Sequence, residues 1–293
     1  MFKDILKRFI FILPDWCAIC LQFKWHTGHF PNLIHPKTFN EKLQWLKIHD
    51  RNPLYTKLVD KYESKAIVSD IIGSEYIIPT LGVWDKFEDI DFENLPDDFV
   101  LKTTHDSGGV VIVRGKQNYD FTIARKNLNS RLKRNFYYIG REWPYKNIKP
   151  RIIAEKFMEE EHYTPGNTQR ELIDYKFYCF HGEPKFLYVS VANFKDGEKN
   201  DQLTYLNLDW TPAPFSRPDH HQMTFTVEKP EKLDEMITIA QKLSKDIPFV
   251  RVDLYYINKK VYFSELTFTP GRGTGIFTPP EWEYKIGQWI TEI

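Results

Sequence analysis

Cysteine is scarce in this chain. Cys17, Cys20 and Cys179 are the three among 293 residues, and an odd, sparse count fits a reducing cytoplasm. Cys17-Ala-Ile-Cys20 has C-x-x-C spacing, yet no second pair follows to complete a zinc site, and no thioredoxin-type strand and helix flank it. Two packed thiols on one helix face are expected. Neither sign of charge is in excess, with 40 Lys plus Arg against 40 Asp plus Glu, which argues against a nucleic-acid binder. No apolar run approaches the ~20 residues that span a bilayer. Internal repeats and low-complexity tracts are missing too, so solenoids and disordered linkers are excluded. Aromatic residues are plentiful, at 16% of the chain. The length allows one large domain or two to three small ones.

The most informative stretch is 249–273, FVRVDLYYINKKVYFSELTFTPGRG. Val250, Val252 and Leu254 alternate with Arg251, Asp253 and Tyr255, the period of a half-buried strand. A second strand is expected from about Val261 to Thr267 across a three-residue turn, Asn258-Lys259-Lys260. That turn would set Asp253 opposite Glu265, with Thr267 on the same face. Paired carboxylates repel unless something cationic lies between them. Arg251 supplies part of that charge. The pair is then either an ion-paired surface hairpin or a Mg²⁺ site, where one or two carboxylates share the ion with substrate phosphates.

Several weaker signals precede it. Phe2, Ile5, Leu6, Phe9, Ile10 and Leu13 recur at helical spacing opposite Lys3, Lys7 and Arg8, and Pro14 ends the segment. Residues 1–13 therefore form a helix that packs on the body or makes peripheral contact with a membrane surface. His26 and His29 have no partner cluster. Pro36 to Leu43 enters a helix capped at Thr38 or Asn40, with Leu43, Trp45, Leu46 and Ile48 on its buried face. Asp60 to Lys65 opens another helix, ending near Gly73, with Lys61 and Lys65 on one face. Asp89-Ile90-Asp91 is formally a D-x-D, as in metal-dependent glycosyltransferases, but sits in a polar linker.

Phe99 to Lys102 and Val110 to Val113 are strands around the loop TTHDSGG, 103–109. Backbone N–H groups in such a glycine loop approach phosphates as a nest. The loop lacks the P-loop pattern and leads into a strand, so a plain flexible hairpin is the alternative. An exposed helix is expected over Asn127 to Phe136. Arg151 to Met158 is a buried strand with an acidic end, and Asp174 to Phe180 is a strand by alternation. Asp174 and Lys176 share a face that Cys179 does not. Residues 194–230, with His220-His221, are a long polar excursion, and Pro230 to Asp246 an amphipathic helix.

Arg251-Val252-Asp253, a dozen residues, then Glu265-Leu266-Thr267-Phe268-Thr269-Pro270-Gly271 resembles the metal motif of ATP-grasp ligases such as the D-alanine:D-alanine ligases. PKTFNEKLQWLK, 36–47, is similar to a stretch typical of the TupA-like ATP-grasp family of bacterial surface-polysaccharide clusters. The resemblance covers roughly residues 30–293. It implies an α+β ATP-grasp fold, two sub-domains gripping ATP between antiparallel sheets, with a helical N-terminal extension. The expected divisions are 1–58 helical, 59–98 connecting, 99–158 the small sub-domain and 159–293 the large one.

Roles follow from the resemblance. Lys65 and Lys102 would meet the nucleotide phosphates under the loop of His105, Ser107, Gly108 and Gly109, with His105 and Asp106 candidates for phosphate or substrate. Glu155 would face the adenine amine, with Lys156, Phe157 and Met158 along the base. Asp174 would hold the ribose and Lys176 the terminal phosphate. Asp253, Glu265 and Thr267 would hold Mg²⁺, although the ligases have Asn where this chain has Thr267. Arg251 would stabilise an acyl phosphate and Arg272 a substrate carboxylate. The implied activity is an ATP-dependent carboxylate–amine ligase modifying a bacterial surface polysaccharide or its precursor, in the cytoplasm or peripheral to the inner membrane. Its substrates would include an amino acid, a uronic acid or an amino sugar. A glycosyltransferase, an ATP-grasp kinase and a non-catalytic surface-polysaccharide scaffold are the alternatives.

Overall fold

The computed structural model describes residues 12–160, 172–191, 194–195, 198–199, 202–223 and 226–291. Residues 1–11 of the basic amphipathic segment lie outside them, so its packing or membrane contact does too. Among the described residues no helix is long and apolar enough to cross a membrane.

Two sheets carry the fold, in an α+β arrangement. The smaller has four antiparallel strands in the order β1-β4-β2-β3: β1 (Thr80–Trp84), β2 (Phe99–Thr103), β3 (Val110–Val113) and β4 (Ile152–Lys156). β1 comes from the connecting segment 59–98, where a helix and a strand are expected, and pairs along β4. Helix α5 (Phe121–Leu132) covers this sheet, and Ala124 and Leu128 pack against Phe99, Leu101, Val113, Ile152 and Ala154. It starts earlier than the 127–136 expected, because Asp120 caps it by accepting from the Thr122 N–H at 2.8 Å. Helix α6 (Tyr137–Gly140) follows.

The larger sheet has six strands in the order β10-β9-β6-β5-β11-β12. Their spans are β5 (Ile173–Phe180), β6 (Glu183–Val191), β9 (Gln202–Asn207), β10 (His221–Gln222), β11 (Phe249–Ile257) and β12 (Lys260–Thr267). A small ribbon, β7 (Phe194–Lys195) with β8 (Glu198–Lys199), interrupts the order. Both faces of the large sheet are covered. On one, Phe177, Cys179, Val250 and Val252 pack under helix α7 (Leu233–Ser244) through Met236, Ala240 and Leu243. On the other, Tyr178, Phe180, Phe186 and Phe249 enclose Phe39 and Phe277. That aromatic layer accounts for much of the aromatic excess, and its burial supplies the large apolar area such a core needs.

Phe39 opens helix α2 (Phe39–His49), one of four that precede the sheets with α1 (Asp15–Thr27), α3 (Pro53–Val59) and α4 (Glu63–Ile72). Cys17 and Cys20 are free and half-buried on α1. Thr38 caps α2 through a capping box with Glu41. The buried stripe of α2 differs from the hydrophobic one expected. Leu43 is inside, but Asn40, Gln44 and Lys47 are buried with it, while Trp45, Leu46 and Ile48 are only partly so. The reason is what the stripe faces. Asn40 Nδ2 donates to the Gly275 carbonyl at 2.8 Å, Gln44 Nε2 to Gly273 at 2.6 Å and Lys47 Nζ to Arg272 at 2.8 Å. The turn after β12 exposes backbone acceptors, and buried acceptors require donors.

Candidate active site

The hairpin of β11 and β12 pairs Asp253 with Glu265 and Arg251 with Thr267, as the spacing implied, but by another route. The turn has two residues, Asn258 and Lys259, both at positive φ, and Ile257 pairs with Lys260. This is the primed turn that matches strand twist. A β-bulge between Asp253 and Leu254 then restores the expected register.

Register places Lys176 opposite Asp253 and Asp174 opposite Tyr255, so one sheet face gathers Asp174, Lys176, Arg251, Asp253, Glu265 and Thr267. This is the face whose other end is the aromatic layer. Asp253 is fully buried and is held by three bonds. Arg251 donates to it twice, from Nε at 2.7 Å and Nη2 at 2.6 Å, and Lys176 Nζ donates at 2.7 Å. Arg251 also donates to the Thr267 hydroxyl at 3.0 Å and the Tyr188 hydroxyl at 3.2 Å. Lys176 lies 3.2 Å from Asp174. Burial pushes the Asp174 carboxyl up. Burial opposes ionisation of Glu265 as well, but Lys61, Lys176, Arg251 and Lys102 together hold its carboxyl below the usual range.

Lys61 and Lys102 come from the small sheet and its approach, so the two sheets present charge to each other. Lys65 and Lys102 both pair with the buried Glu155, Lys102 at 2.6 Å. Lys65 Nζ also donates to the Ile78 carbonyl at 2.7 Å. Burial would raise Glu155, yet Lys102 and Lys65 outweigh it and hold the carboxyl at about 2. Glu155 is thus the counter-charge of the two lysines, a role that the resemblance did not name. Its neighbour Lys156 donates its backbone N–H to Pro79 at 3.0 Å. Phe157 lies under the Arg114 guanidinium, 4.2 Å away, and Met158 is half-buried.

The loop 103–109 divides into a buried floor and an exposed tip. Thr103, Thr104, His105 and Asp106 are buried, while Ser107 and Gly108 are exposed. Asp106 accepts from Arg131 at 2.7 Å and from the Thr103 hydroxyl, and its carbonyl accepts from Lys61 Nζ. His105 Nε2 lies 3.2 Å from the Arg131 and Arg134 carbonyls, turned into the end of α5. His105 and Asp106 therefore build the loop. Gly108 sits at φ +81, and a Cβ on Gly109 would lie 1.8 Å from Thr103 Oγ1. Both positions are fitted to glycine.

A third group was not foreseen. Lys47 and Glu142 are buried near Arg272, which occupies the left-handed region at φ +59 in the turn 270–273. Burial pushes Lys47 down to about 8 and Glu142 up to about 7. Burial also raises Tyr145, which feels the charges of Glu142, Glu265, Arg251 and Asp253. No single segment of sequence carries this group, since it draws on residues 47, 142–145 and 272.

The donor set fits a polyphosphate with a divalent ion. Arg251 Nη2 lies 3.6 Å from Glu265, and Lys61, Lys176 and Lys102 add their charge at longer range; the Glu265 side chain is 39% exposed and open to an ion. Asp253 lies across the ladder, already shared by Arg251 and Lys176. Among the described residues no three His, Cys, Asp or Glu side chains are grouped as a protein-only metal site needs, so an ion here would complete its shell with phosphate. Asp89-Ile90-Asp91 is no such site: Ile90 is buried in the small-sheet core, and Asp91 accepts from Asn94 Nδ2 at 2.6 Å.

A family model described as TupA-like ATPgrasp matches residues 41–291. No curated protein matches. Among solved structures, D-alanine–D-alanine ligase from Bacillus anthracis, complexed with ATP, is 18% identical at a TM-score of 0.39, over 72% of this chain and 55% of that one. D-alanine–D-alanine ligase from Helicobacter pylori is 14% identical at 0.40, over 80% and 61%. The ATP-grasp ligase PsnB, with minimal precursor, Mg and ADP, is 11% identical at 0.40, over 80% and 60%. The chain thus spans 55–61% of the length of these structures.

Proposed function

The chain belongs to the TupA-like ATP-grasp family, and from that premise we propose that it is an ATP-dependent carboxylate–amine ligase. The observation that carries the reading is the convergence of Lys61, Lys102, Lys176 and Arg251 on one space with Asp253 and Glu265. Such a space suits transfer of a phosphoryl group, where catalysis is mostly positioning and charge neutralisation. A substrate carboxylate oxygen attacks the γ-phosphorus, the bond to the β-phosphate oxygen breaks, and ADP leaves an acyl phosphate. An amine then attacks the acyl carbon, the C–O bond to phosphate breaks, and an amide and inorganic phosphate result.

Lys65 and Lys102 serve as point charges for the nucleotide phosphates, with Glu155 keeping both in place when ATP is away. Lys176 and Arg251 stand where charge develops on the transferring group. Glu265, with Asp253 and Thr267, would hold Mg²⁺, which supplies Lewis-acid neutralisation of phosphate oxygens. Ser107, Gly108 and Gly109 cover the phosphates, Phe157 and Met158 flank the base, and Asp174 meets the ribose. Arg272 takes a substrate carboxylate.

The substrates we propose are an amino acid, uronic acid or amino sugar of a bacterial surface polysaccharide or its precursor, joined in the cytoplasm. The test is thermal stabilisation by ATP with Mg²⁺, compared with GTP and UDP-sugars, since a ligand that binds the native state raises apparent stability. Stabilisation by ATP alone, lost in Lys102→Ala, is expected. Stabilisation by a UDP-sugar with ATP inert would overturn the reading.

A further inference from the structure

The Glu142 carboxylate is buried, 5% exposed, yet among the described residues no hydrogen bond or ion pair within 4 Å holds it. A buried charge without a bonded partner is costly, and its persistence needs a reason. Its surroundings supply one. Lys47 from α2 and Arg272 from the turn 270–273 are the charged groups that face it, and Tyr145 is the titratable group on its own segment. Lys47 directs its ammonium elsewhere, to Gln44 Oε1 at 2.7 Å and the Arg272 carbonyl at 2.8 Å. Glu142 Oε1 and the Arg272 side chain meet over Gly140, where a Cβ would lie 2.8 Å from the first and 3.0 Å from the Arg272 Cγ. Tyr145 feels the charge of Glu142 and also that of Arg251, Asp253 and Glu265.

We propose that Glu142 is the catalytic residue that binds the attacking ammonium and takes its proton, while Arg272 beside it receives a carboxylate of the same molecule. The assignment rests on the ligase reading. An ammonium has no lone pair and cannot attack. One proton passes to the Glu142 carboxylate, and the neutral amine forms the C–N bond at the acyl phosphate. The C–O bond breaks and its electron pair leaves with phosphate. A carboxyl titrating near the operating pH is suited to that transfer, and burial pushes Glu142 up to about 7.

Hydroxylamine separates the steps, because it is uncharged at neutral pH and traps an acyl phosphate without needing a base. The full chain is given ATP, Mg²⁺ and a panel of uronic and amino acids, with either hydroxylamine or an amino acid as nucleophile. Glu142→Gln should form hydroxamate within about two-fold of wild type and lose amide formation by on the order of 100-fold, as general bases do. Its amide rate should no longer rise with pH through neutrality. Glu142→Asp should keep that pH limb at a lower rate, which serves if the Gln variant does not fold. Equal loss of hydroxamate and amide in Glu142→Gln would make Glu142 merely structural and overturn the proposal. So would amide formation at the wild-type rate, or an Asp variant without the pH limb. Wild type forming no hydroxamate with any acid would remove the ligase reading, and this assignment with it.

Discussion

Replacing Glu155 by Gln tests how the two nucleotide lysines are held. The carboxylate is 5% exposed and faces both Lys65 and Lys102. Its pKa falls from 4.5 to about 2 in the folded chain. A drop of that size corresponds to about 3 kcal/mol of coupling. Lys65 is itself pushed down, because burial outweighs its carboxylate, so the coupling is read from Glu155, which meets both cations. A depressed carboxylate stabilises above its unfolded pKa and loses that contribution as pH falls through the folded one. Stability without nucleotide should therefore drop by about 3 kcal/mol between pH 4.5 and 2 through this group. Glu155→Gln should be less stable by about 3–5 kcal/mol at neutral pH, since it strands two partly buried ammonium groups. ATP should recover part of the loss by supplying phosphate in place of the carboxylate. The assay is urea unfolding with and without ATP and Mg²⁺. A variant within about 0.5 kcal/mol of wild type, a shift typical of surface substitutions, would refute the reasoning.

Other perturbations follow from the same geometry. Lys102→Ala should weaken ATP binding by more than ~1 kcal/mol, a lower bound for losing a charge-assisted hydrogen bond, and titration calorimetry measures it. Glu265→Gln should abolish turnover while unfolding at nearly the wild-type urea concentration; an active variant at ordinary Mg²⁺ would contradict the metal assignment. Gly109→Ala should weaken ATP binding as well as stability, because its Cβ overlaps Thr103 Oγ1; unchanged ATP affinity would show that the loop does not cover phosphate. Phe39→Ala should cost about 3–5 kcal/mol in unfolding experiments, the range for removing a core aromatic.

The sequence made the hairpin of β11 and β12 legible because its two faces differ: alternation and turn residues fix which side chains look out together. It did not disclose the bulge, since an extra residue in a strand leaves no periodic trace when the flanking positions are Phe263, Ser264 and Glu265. β4 was harder. Its strand is buried on both faces, so nothing in Ile152 to Lys156 says which way Glu155 points. Only register does so. Val100 lies opposite Glu155 on β2, and Lys102, two residues along the same face, reaches it diagonally. Helix α2 misled for another reason. Hydrophobicity picked Trp45, Leu46 and Ile48, while the helix buries Asn40, Gln44 and Lys47 against carbonyls of a turn some 230 residues away. Glu142 and Tyr145 lie in a polar stretch after α5 that carries no periodic pattern. Their proximity to Lys47 and Arg272 is a property of the packed chain alone.

The most direct measurement follows both nucleotide and organic products by ³¹P NMR and mass spectrometry. The chain is supplied with ATP, Mg²⁺ and a panel of amino acids with uronate or amino-sugar acceptors. Attack on the γ-phosphate predicts ADP, inorganic phosphate and amide in equal amounts, all lost in Glu265→Gln. AMP with pyrophosphate would contradict the acyl-phosphate account, and ADP with a phosphorylated hydroxyl and no amide would make the protein a kinase on the same fold.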